Sequence, residues 1–203
     1  MIELGTPQIE RIVASRFAIA VEGRTALRGR LEHLRRLGTP SGIQRGQGRA
    51  AIYRWRELLE LIVALELLSA GLTPEHAHRV ASLRFGEFEQ AFALLSFDLG
   101  AGLLAAVEQR RIPAGVSAPV LVTADAFSGM RGSGSSEVAF AIMLSPHYDI
   151  HDLPGELSTS RITLDVGPVA VRLLHAMSKA LDIPQDLIVH EFKEWAIANV
   201  CNP

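Results

Sequence analysis

Cysteine is almost absent from this chain of 203 residues. Its single cysteine, Cys201, lies close to the end of the sequence. One thiol excludes a disulfide framework, a cysteine-rich zinc site and a paired-thiol redox switch. The sequence therefore has to fold through an ordinary hydrophobic core, and we expect Cys201 to have no functional role.

Long apolar runs are also missing, although 48% of the residues are hydrophobic. The longest apolar stretches, 58–72 and 99–107, are interrupted by Glu60 and Glu66 or are too short for a bilayer span, which takes about 20 apolar residues. The N-terminal sequence MIELGTPQIE has no charged start followed by an apolar core and a cleavage site. We therefore expect a cytoplasmic protein without a membrane span, folded as one ordinary domain or two small ones.

Acidic residues are scarce in one long segment, which makes the charge distribution uneven. Ten of the twenty basic side chains fall within residues 16–56, all ten are arginines, and only Glu22 and Glu32 oppose them. The segment carries a charge of +8 in a chain whose formal net charge is −2. Because the planar guanidinium suits phosphate oxygens and the acceptor edge of guanine, this segment is predicted to meet a polyanion.

Two helices are predicted at the start of the chain, over 7–20 and 24–37, with a tight joint at residues 21–23. Leucines at helical spacing predict the face of the second helix that packs on a neighbour: Leu27, Leu31, Leu34 and Leu37. The opposite face is polar and rich in arginine, and helical geometry assigns to it Thr25, Arg28, Gly29, Glu32 and Arg36, with His33 and Arg35 at its margins.

A turn and a basic ribbon are predicted to follow. Gly38 and Pro40 end the second helix, since glycine permits a left-handed cap and proline cannot continue the hydrogen-bond ladder. Residues 42–55 (GIQRGQGRAAIYRW) combine glycines, arginines and apolar side chains, as in a short two-stranded ribbon with a basic tip. The next segment, 56–70, is apolar nearly all round, which predicts a helix at the centre of the core.

The second half of the chain is predicted to form a small α+β module. Thr73 and Pro74 start another helix, and weaker helical patterns follow over 86–97 and 99–111. Segments rich in β-branched or aromatic residues then predict three strands, at 118–124, 136–144 and 160–166. Apolar stripes predict two closing helices over about 168–181 and 184–200.

These patterns predict an α+β chain with three parts. An N-terminal domain would cover residues 1–85, a helical connector 86–112, and the small α+β module 113–203. In the N-terminal part, the order of helix, tight joint, amphipathic helix, basic glycine-rich hairpin and buried helix is the plan of a winged helix-turn-helix domain.

Over roughly its first 85 residues the sequence resembles the DNA-binding domain of the MerR-type regulators. The likeness runs from TALRGRLEHLRRLG through GRAAIYRWRELLEL to VALELLSAGLTPEHAHRV. It includes the order of an arginine, an aromatic residue and a helix, followed by Gly71-Leu72-Thr73-Pro74-Glu75 at the opening of the next helix.

The resemblance implies a bacterial-type transcriptional regulator that binds double-stranded DNA as a homodimer. In that family the second helix enters the major groove, which carries over to Thr25, Arg28, Gly29, Glu32 and Arg36, with Arg35 beside them. The wing contacts carry over to Arg45, Arg49, Tyr53 and Arg54. Chemically, Arg28 or Arg36 can donate two hydrogen bonds to guanine, and Glu32 can accept one from a cytosine amine.

The sequence departs from the family in three respects. Arginines replace the tyrosines usual at the end of the second helix, no long heptad-patterned coiled coil follows, and no cysteine cluster is present for metal or redox sensing. We therefore expect no metal or cofactor. The C-terminal module, through its strands or the helix that contains Trp195, is the predicted dimerisation surface. It could also bind a small effector, although no convergent set of polar groups identifies one.

Other interpretations of these residues remain open. Arg28 and Glu32 could be a solvated surface pair at i,i+4, and the basic face could meet an acidic protein instead of DNA, as in an adaptor. The segment around His147, Asp149 and His151 could hold a catalytic metal, although a polar surface loop explains it better. The glycine-rich segment 128–136 leads into a strand, unlike a phosphate-binding loop. No nucleophile, base and acid occur in a recognisable context, so we do not expect an enzyme.

Overall fold

The computed structural model describes residues 2–43, 50–98, 100–112, 119–123, 140–142 and 161–200. Within these ranges the chain is mainly helical with two small antiparallel sheets, which confirms the predicted α+β class. In chain order the elements are β1 (Leu4–Gly5), α1 (Thr6–Arg16), a 3₁₀ turn (Val21–Gly23), α2 (Arg24–Leu37), β2 (Ile52–Tyr53), α3 (Trp55–Ser69), α4 (Pro74–Leu83), α5 (Phe85–Asp98), α6 (Gly100–Gln109), β3 (Pro119–Thr123), β4 (Phe140–Ile142), β5 (Arg161–Asp165), α7 (Val166–Leu181) and α8 (Gln185–Val200).

Strand β2 pairs with the beginning of the described chain. Leu4 lies opposite Tyr53 and Gly5 opposite Ile52, in antiparallel register. The ribbon predicted over 42–55 has both strands inside that segment, whereas the described partner of β2 is β1. Residues 44–49, which include the predicted basic tip, lie outside the described ranges. The β1–β2 pairing holds the start of α1 beside the start of α3.

Helix α1 ends at Arg16, four residues before the predicted end. Ala18 adopts a left-handed backbone conformation with a φ of 50°. The Ile19 N–H then donates back to the Ala14 carbonyl oxygen at 2.9 Å. This ending reverses the chain and returns Ile19 to the edge of the hydrophobic core, which the helical pattern of the sequence did not reveal.

Helix α2 has the predicted bounds. The side chains of Leu27, Leu31 and Leu34 are buried and that of Leu37 is partly buried, so the leucine stripe packs inward as predicted. Gly38 ends the helix with a φ of 102°, and its N–H donates to the Leu34 carbonyl oxygen at 3.1 Å. The leucine stripe and this cap together decide which side of α2 faces solvent.

Helices α3 and α4 also follow the sequence pattern. Helix α3 is buried on most sides, as its nearly continuous apolar sequence predicts. The hydroxyl of Thr73 caps α4 by accepting a hydrogen bond from the His76 N–H at 3.3 Å, and Pro74 occupies the first helical position.

The three strands and two closing helices predicted for the second half are present. Strand β3 is central, with β4 and β5 antiparallel on either side: Val120 lies opposite both Ile142 and Leu164. Helix α7 follows β5 directly, and the Asp165 carboxylate caps it by accepting from the Gly167 N–H at 3.0 Å.

One hydrophobic core joins the N-terminal and C-terminal parts of the described chain. Helix α1 packs on α7, and α5 packs on α8. The predicted divisions near residues 85 and 112 therefore do not separate independent cores in these ranges. Among the residues that the structure describes, no helix combines the length and the apolar character that a membrane span requires.

Candidate nucleic-acid interface

The outward face of α2 lies where the sequence predicts it. All five residues assigned to this face are exposed: Thr25, Arg28, Gly29, Glu32 and Arg36. His33 and Arg35, predicted at the margins, are partly buried. Gly29 adds an opening in the middle of the face, since a Cβ atom placed there would meet nothing within 4 Å. The face is therefore a polar ridge on a helix that the leucine stripe holds in place.

Arg28 forms an ion pair across the gap between α1 and α2. Its Nε–H donates to Oε2 of Glu10 on α1 at 2.7 Å. The Arg28 side chain stays 68% exposed, whereas that of Glu10 is 23% exposed. Glu10 is thus the more buried partner of the pair, and the Arg28 side chain remains accessible to solvent.

Glu32 and Arg35 pair with each other along α2, and Arg35 also contacts Tyr53. Partial burial lowers the pKa of the Arg35 guanidinium, but the hydrogen bonds and charges of Glu32 and Tyr53 outweigh it and the net shift is upward. Tyr53 is only 2% exposed, because its ring belongs to the core. Its predicted role as a wing contact therefore needs correction, because Tyr53 is buried and forms a hydrogen bond with the Arg35 side chain.

Arg54 and Arg56 are exposed at the start of α3, and both meet carboxylates. Arg54 donates from Nε and Nη2 to the same oxygen of Glu3, at 3.2 and 2.9 Å. Arg56 donates to Glu89 at 3.0 Å and lies over the Phe85 ring. Burial raises the pKa of the Glu89 carboxyl, although the positive charge and hydrogen bond of Arg56 act to lower it. The predicted wing residue Arg54 is thus accessible to solvent, but two of its nitrogens are hydrogen-bonded to Glu3.

Arg16 belongs to the basic segment in sequence but not to its surface. Its side chain is only 5% exposed and pairs with Glu66 of α3. Desolvation lowers the pKa of the Arg16 guanidinium, Glu66 opposes that shift, and the nearby positive charge of Arg172 adds to it. Arg16 is therefore a structural residue that ties α1 to α3.

Tertiary contacts thus neutralise much of the charge that the sequence concentrates in residues 16–56. Five of the arginines that the structure describes there pair with carboxylates, and four of the partners come from outside the segment: Glu3, Glu10, Glu66 and Glu89. Arg24, Arg30 and Arg36 form no ion pair with any described residue, and Arg30 and Arg36 are exposed. The free positive charge is consequently smaller than +8.

A groove of about 350 Å³ runs between α1 and α2 beside β2. Its apolar floor includes Ile9, Leu31 and Leu61, and its rim carries the Arg28–Glu10 and Arg35–Glu32 pairs. Both signs of charge therefore surround an apolar strip next to the outward face of α2.

A buried polar network holds the exit from α2. The fully buried Glu60 carboxylate accepts from the Ser41 N–H at 2.9 Å, the Ser41 hydroxyl at 2.8 Å and the Ser82 hydroxyl at 2.6 Å. The Ser82 hydroxyl has only one hydrogen, which it donates to Glu60, so the Thr39 hydroxyl has to donate to Ser82 Oγ at 3.0 Å. The His78 Nδ1–H then has to donate to Thr39 Oγ1 at 2.7 Å. In the sequence, the only sign of this network is Glu60, a glutamate inside the apolar helix α3.

The remaining predicted residues lie outside the described ranges. These are Arg45 and Arg49 of the wing, the segment with His147, Asp149 and His151, and the glycine-rich segment 128–136. Within the described part of the chain, no group of three His, Cys, Asp or Glu side chains is arranged to hold a metal ion. The metal hypothesis for His147, Asp149 and His151 stays a hypothesis, which elemental analysis of the purified protein for bound metal tests directly.

No family model, no curated protein and no solved structure matches this chain.

Proposed function

We propose that this protein is a sequence-specific regulator of transcription that binds double-stranded DNA as a homodimer, through a MerR-like winged helix-turn-helix domain. The observation that carries the proposal is the outward face of α2. All five residues assigned to it are exposed, on a helix anchored by buried leucines and preceded by a tight joint. A well-packed helix with an exposed polar face is what insertion into a major groove requires.

Base recognition would fall to the arginines and the acid on this face. Arg36 is exposed without an ion pair to a described residue, and Arg28 is mostly exposed despite its contact with Glu10. Either guanidinium can donate two hydrogen bonds to O6 and N7 of guanine. Glu32 can accept from a cytosine amine if its contact with Arg35 opens on binding.

Backbone contacts would come from exposed arginines around the face. Arg30 and Arg54 are exposed in the structure, and Arg45 and Arg49 add two cations in sequence. Each arginine that reaches a phosphate releases counterions, so the affinity is expected to fall as salt rises. These contacts position the protein and do not choose the sequence.

A symmetric dimer would let two α2 helices read two half-sites. We assign dimerisation to the C-terminal sheet and its closing helices, in the absence of a heptad-patterned segment after the proposed DNA-binding domain. The same region is where an effector would act if regulation requires one.

Selection of binding sites from a random duplex library at two salt concentrations tests the proposal. A recovered inverted repeat, bound less tightly at the higher salt, supports a dimeric regulator. Arg36→Ala should relax the preference at one base pair, by about 1 to 3 kcal/mol. Arg54→Ala should weaken binding to all sequences alike, and Arg79→Ala, an exposed arginine of α4, is the matched control. If no duplex is retained at low salt, the proposal is wrong.

The groove between α1 and α2 favours one alternative, a non-catalytic adaptor. Its apolar floor and mixed-charge rim are chemically suited to a protein surface as well as to DNA. A shift in electrophoretic mobility with an acidic protein, together with no shift with duplex, would support the adaptor instead of the regulator.

A further inference from the structure

Two arginines of the proposed interface are held by acids in different ways. Arg54 gives Nε and Nη2 to Glu3, so one whole edge of its guanidinium is occupied. Arg28 gives only Nε to Glu10, and neither of its terminal nitrogens bonds to a described residue. A guanidinium has five N–H donors, so Arg28 keeps the four hydrogens of its two terminal nitrogens for a ligand.

The backbone beneath Glu10 is firmly held. Its neighbours Ile9, Ile12 and Val13 are buried, and α1 packs against α7. The carboxylate consequently has a defined position beside α2, while Arg28 is mostly exposed at the other side of the pair. Contact through Nε restrains the rotation of the guanidinium and leaves both terminal nitrogens without a hydrogen bond to a described residue.

Gly29, next to Arg28 in the chain, leaves space for a ligand to approach α2, and both residues line the groove between α1 and α2. A Cβ at that position would have no neighbour within 4 Å. A base edge can therefore come close to α2 in the groove that Arg28 also lines. Guanine, with two adjacent acceptors at O6 and N7, matches two parallel N–H donors.

We infer that Glu10 is a positioning residue that orients Arg28 for recognition of guanine and opposes its use on phosphate. This inference rests on the proposed function. A phosphate bound by Arg28 would lie near the Glu10 carboxylate and be repelled by it, whereas the edge of guanine is neutral and is not. Glu10 would thus lower affinity for arbitrary duplex while it preserves affinity for the correct base.

The test compares Glu10→Gln with Glu22→Gln. Each variant removes one negative charge close to α2, but Glu22 is exposed in the 3₁₀ turn and forms no ion pair with a described residue. Binding to the selected duplex, to the same duplex with the guanine replaced, and to an unrelated duplex would be measured at fixed salt.

Glu10→Gln is expected to tighten binding to the unrelated duplex and to reduce discrimination at one guanine by about tenfold. That guanine should be the one whose preference is lost in Arg28→Ala, and the double variant Glu10→Gln/Arg28→Ala should lose no more discrimination than Arg28→Ala alone. Glu22→Gln should leave discrimination unchanged. Glu10→Asp, which keeps the charge but withdraws the carboxylate from Nε, should lose discrimination without the gain in non-specific affinity.

The outcomes separate the two proposals. If the native protein selects a sequence but Glu10→Gln discriminates as well as Glu22→Gln does, Glu10 has no positioning role and the inference is wrong, while the proposed function stands. If the native protein retains no duplex, the proposed function fails and the inference fails with it. Thermal unfolding of each variant shows whether a lost effect comes from a lost fold.

Discussion

The rings of Trp55 and Phe192 lie 5.3 Å apart, with their planes at 60°. Trp55 begins α3, next to strand β2 in the proposed DNA-binding domain, whereas Phe192 belongs to α8 near the other end of the chain. Both side chains are fully buried. This contact makes the proposed DNA-binding domain depend on the C-terminal helix for part of its core.

Phe192→Ala should therefore destabilise the whole molecule. Removal of a buried aromatic ring costs about 3 to 5 kcal/mol of unfolding free energy, because the cavity fills only in part. Denaturant unfolding followed by tryptophan fluorescence and by circular dichroism should show one transition at a lower midpoint. Leu187→Ala, an exposed apolar residue of the same helix, is the control and should change little. Two separate transitions would mean that the N-terminal part folds alone.

Glu66→Ala should also be strongly destabilising. It leaves the Arg16 guanidinium buried without its partner, which costs about 3 to 5 kcal/mol when an ion pair is well enclosed. The unfolding free energy at neutral pH gives the measurement. Glu108→Ala, at an exposed position of α6, is the matched control. An equally small effect of both substitutions would show that the Arg16–Glu66 pair contributes nothing to stability.

Gly29→Ala should separate stability from binding. Alanine is favoured over glycine inside a helix by roughly 0.5 to 1 kcal/mol, and the new methyl group would meet nothing within 4 Å. The melting temperature should rise. Affinity for the selected duplex should fall, because the methyl group narrows the approach to α2. Gly86→Ala in α5 also enters open space and should leave binding unchanged. Unaltered binding in Gly29→Ala would place the duplex elsewhere.

Ser82→Ala should loosen the exit from α2. The substitution removes one donor to the buried Glu60 carboxylate and the acceptor for Thr39, at a cost of about 1 to 3 kcal/mol. Hydrogen exchange at the Ser41 amide, which also bonds to Glu60, should become faster than the loss of global stability explains. Ser69→Ala, exposed at the end of α3, is the control. Exchange that changes only in proportion to global stability would argue against a local role.

His175 should make stability depend on pH. Burial, and then the positive charges of Arg110 and Lys179, lower its pKa below the ordinary value of 6.5. Between 6.5 and the lower folded pKa the unfolded chain binds more protons, so stability rises with pH in this window and falls as the solution is acidified through it. His175→Gln should flatten this part of the profile of unfolding free energy against pH. His190→Gln, exposed on α8, is the control, and an unchanged slope in His175→Gln would contradict the assignment.

Local patterns in the sequence predicted much of the fold. The bounds of α2, the cap at Gly38, the start of α4 at Thr73 and Pro74, the three strands and the two closing helices all agree with the structure. These features depend on residues within a few positions of one another, through helical periodicity, caps and strand alternation. The outward face of α2 was predictable for the same reason, since a leucine stripe on one side fixes the polar side.

The early end of α1 and the pairing of β2 with β1 were not predictable in this way. The early end of α1 depends on the left-handed backbone of Ala18, a conformation that an alanine in the sequence does not indicate. The pairing of β2 depends on a partner strand at the other end of the N-terminal part. The position of Tyr53 beside arginines in the sequence likewise predicted a surface residue, whereas tertiary packing buries its ring in the core.

The sequence by itself determined that arginines crowd into residues 16–56 and that five particular residues share the outward face of α2. Only the tertiary structure decided how much of that charge is free, because Glu3, Glu10, Glu66 and Glu89 reach the segment from elsewhere in the chain. It also decided that Arg16 is buried and that Glu10 leaves both terminal nitrogens of Arg28 open. The physical reason is that electrostatic energy depends on the distance between charges in space and on their exposure to water, and neither follows from their spacing along the chain.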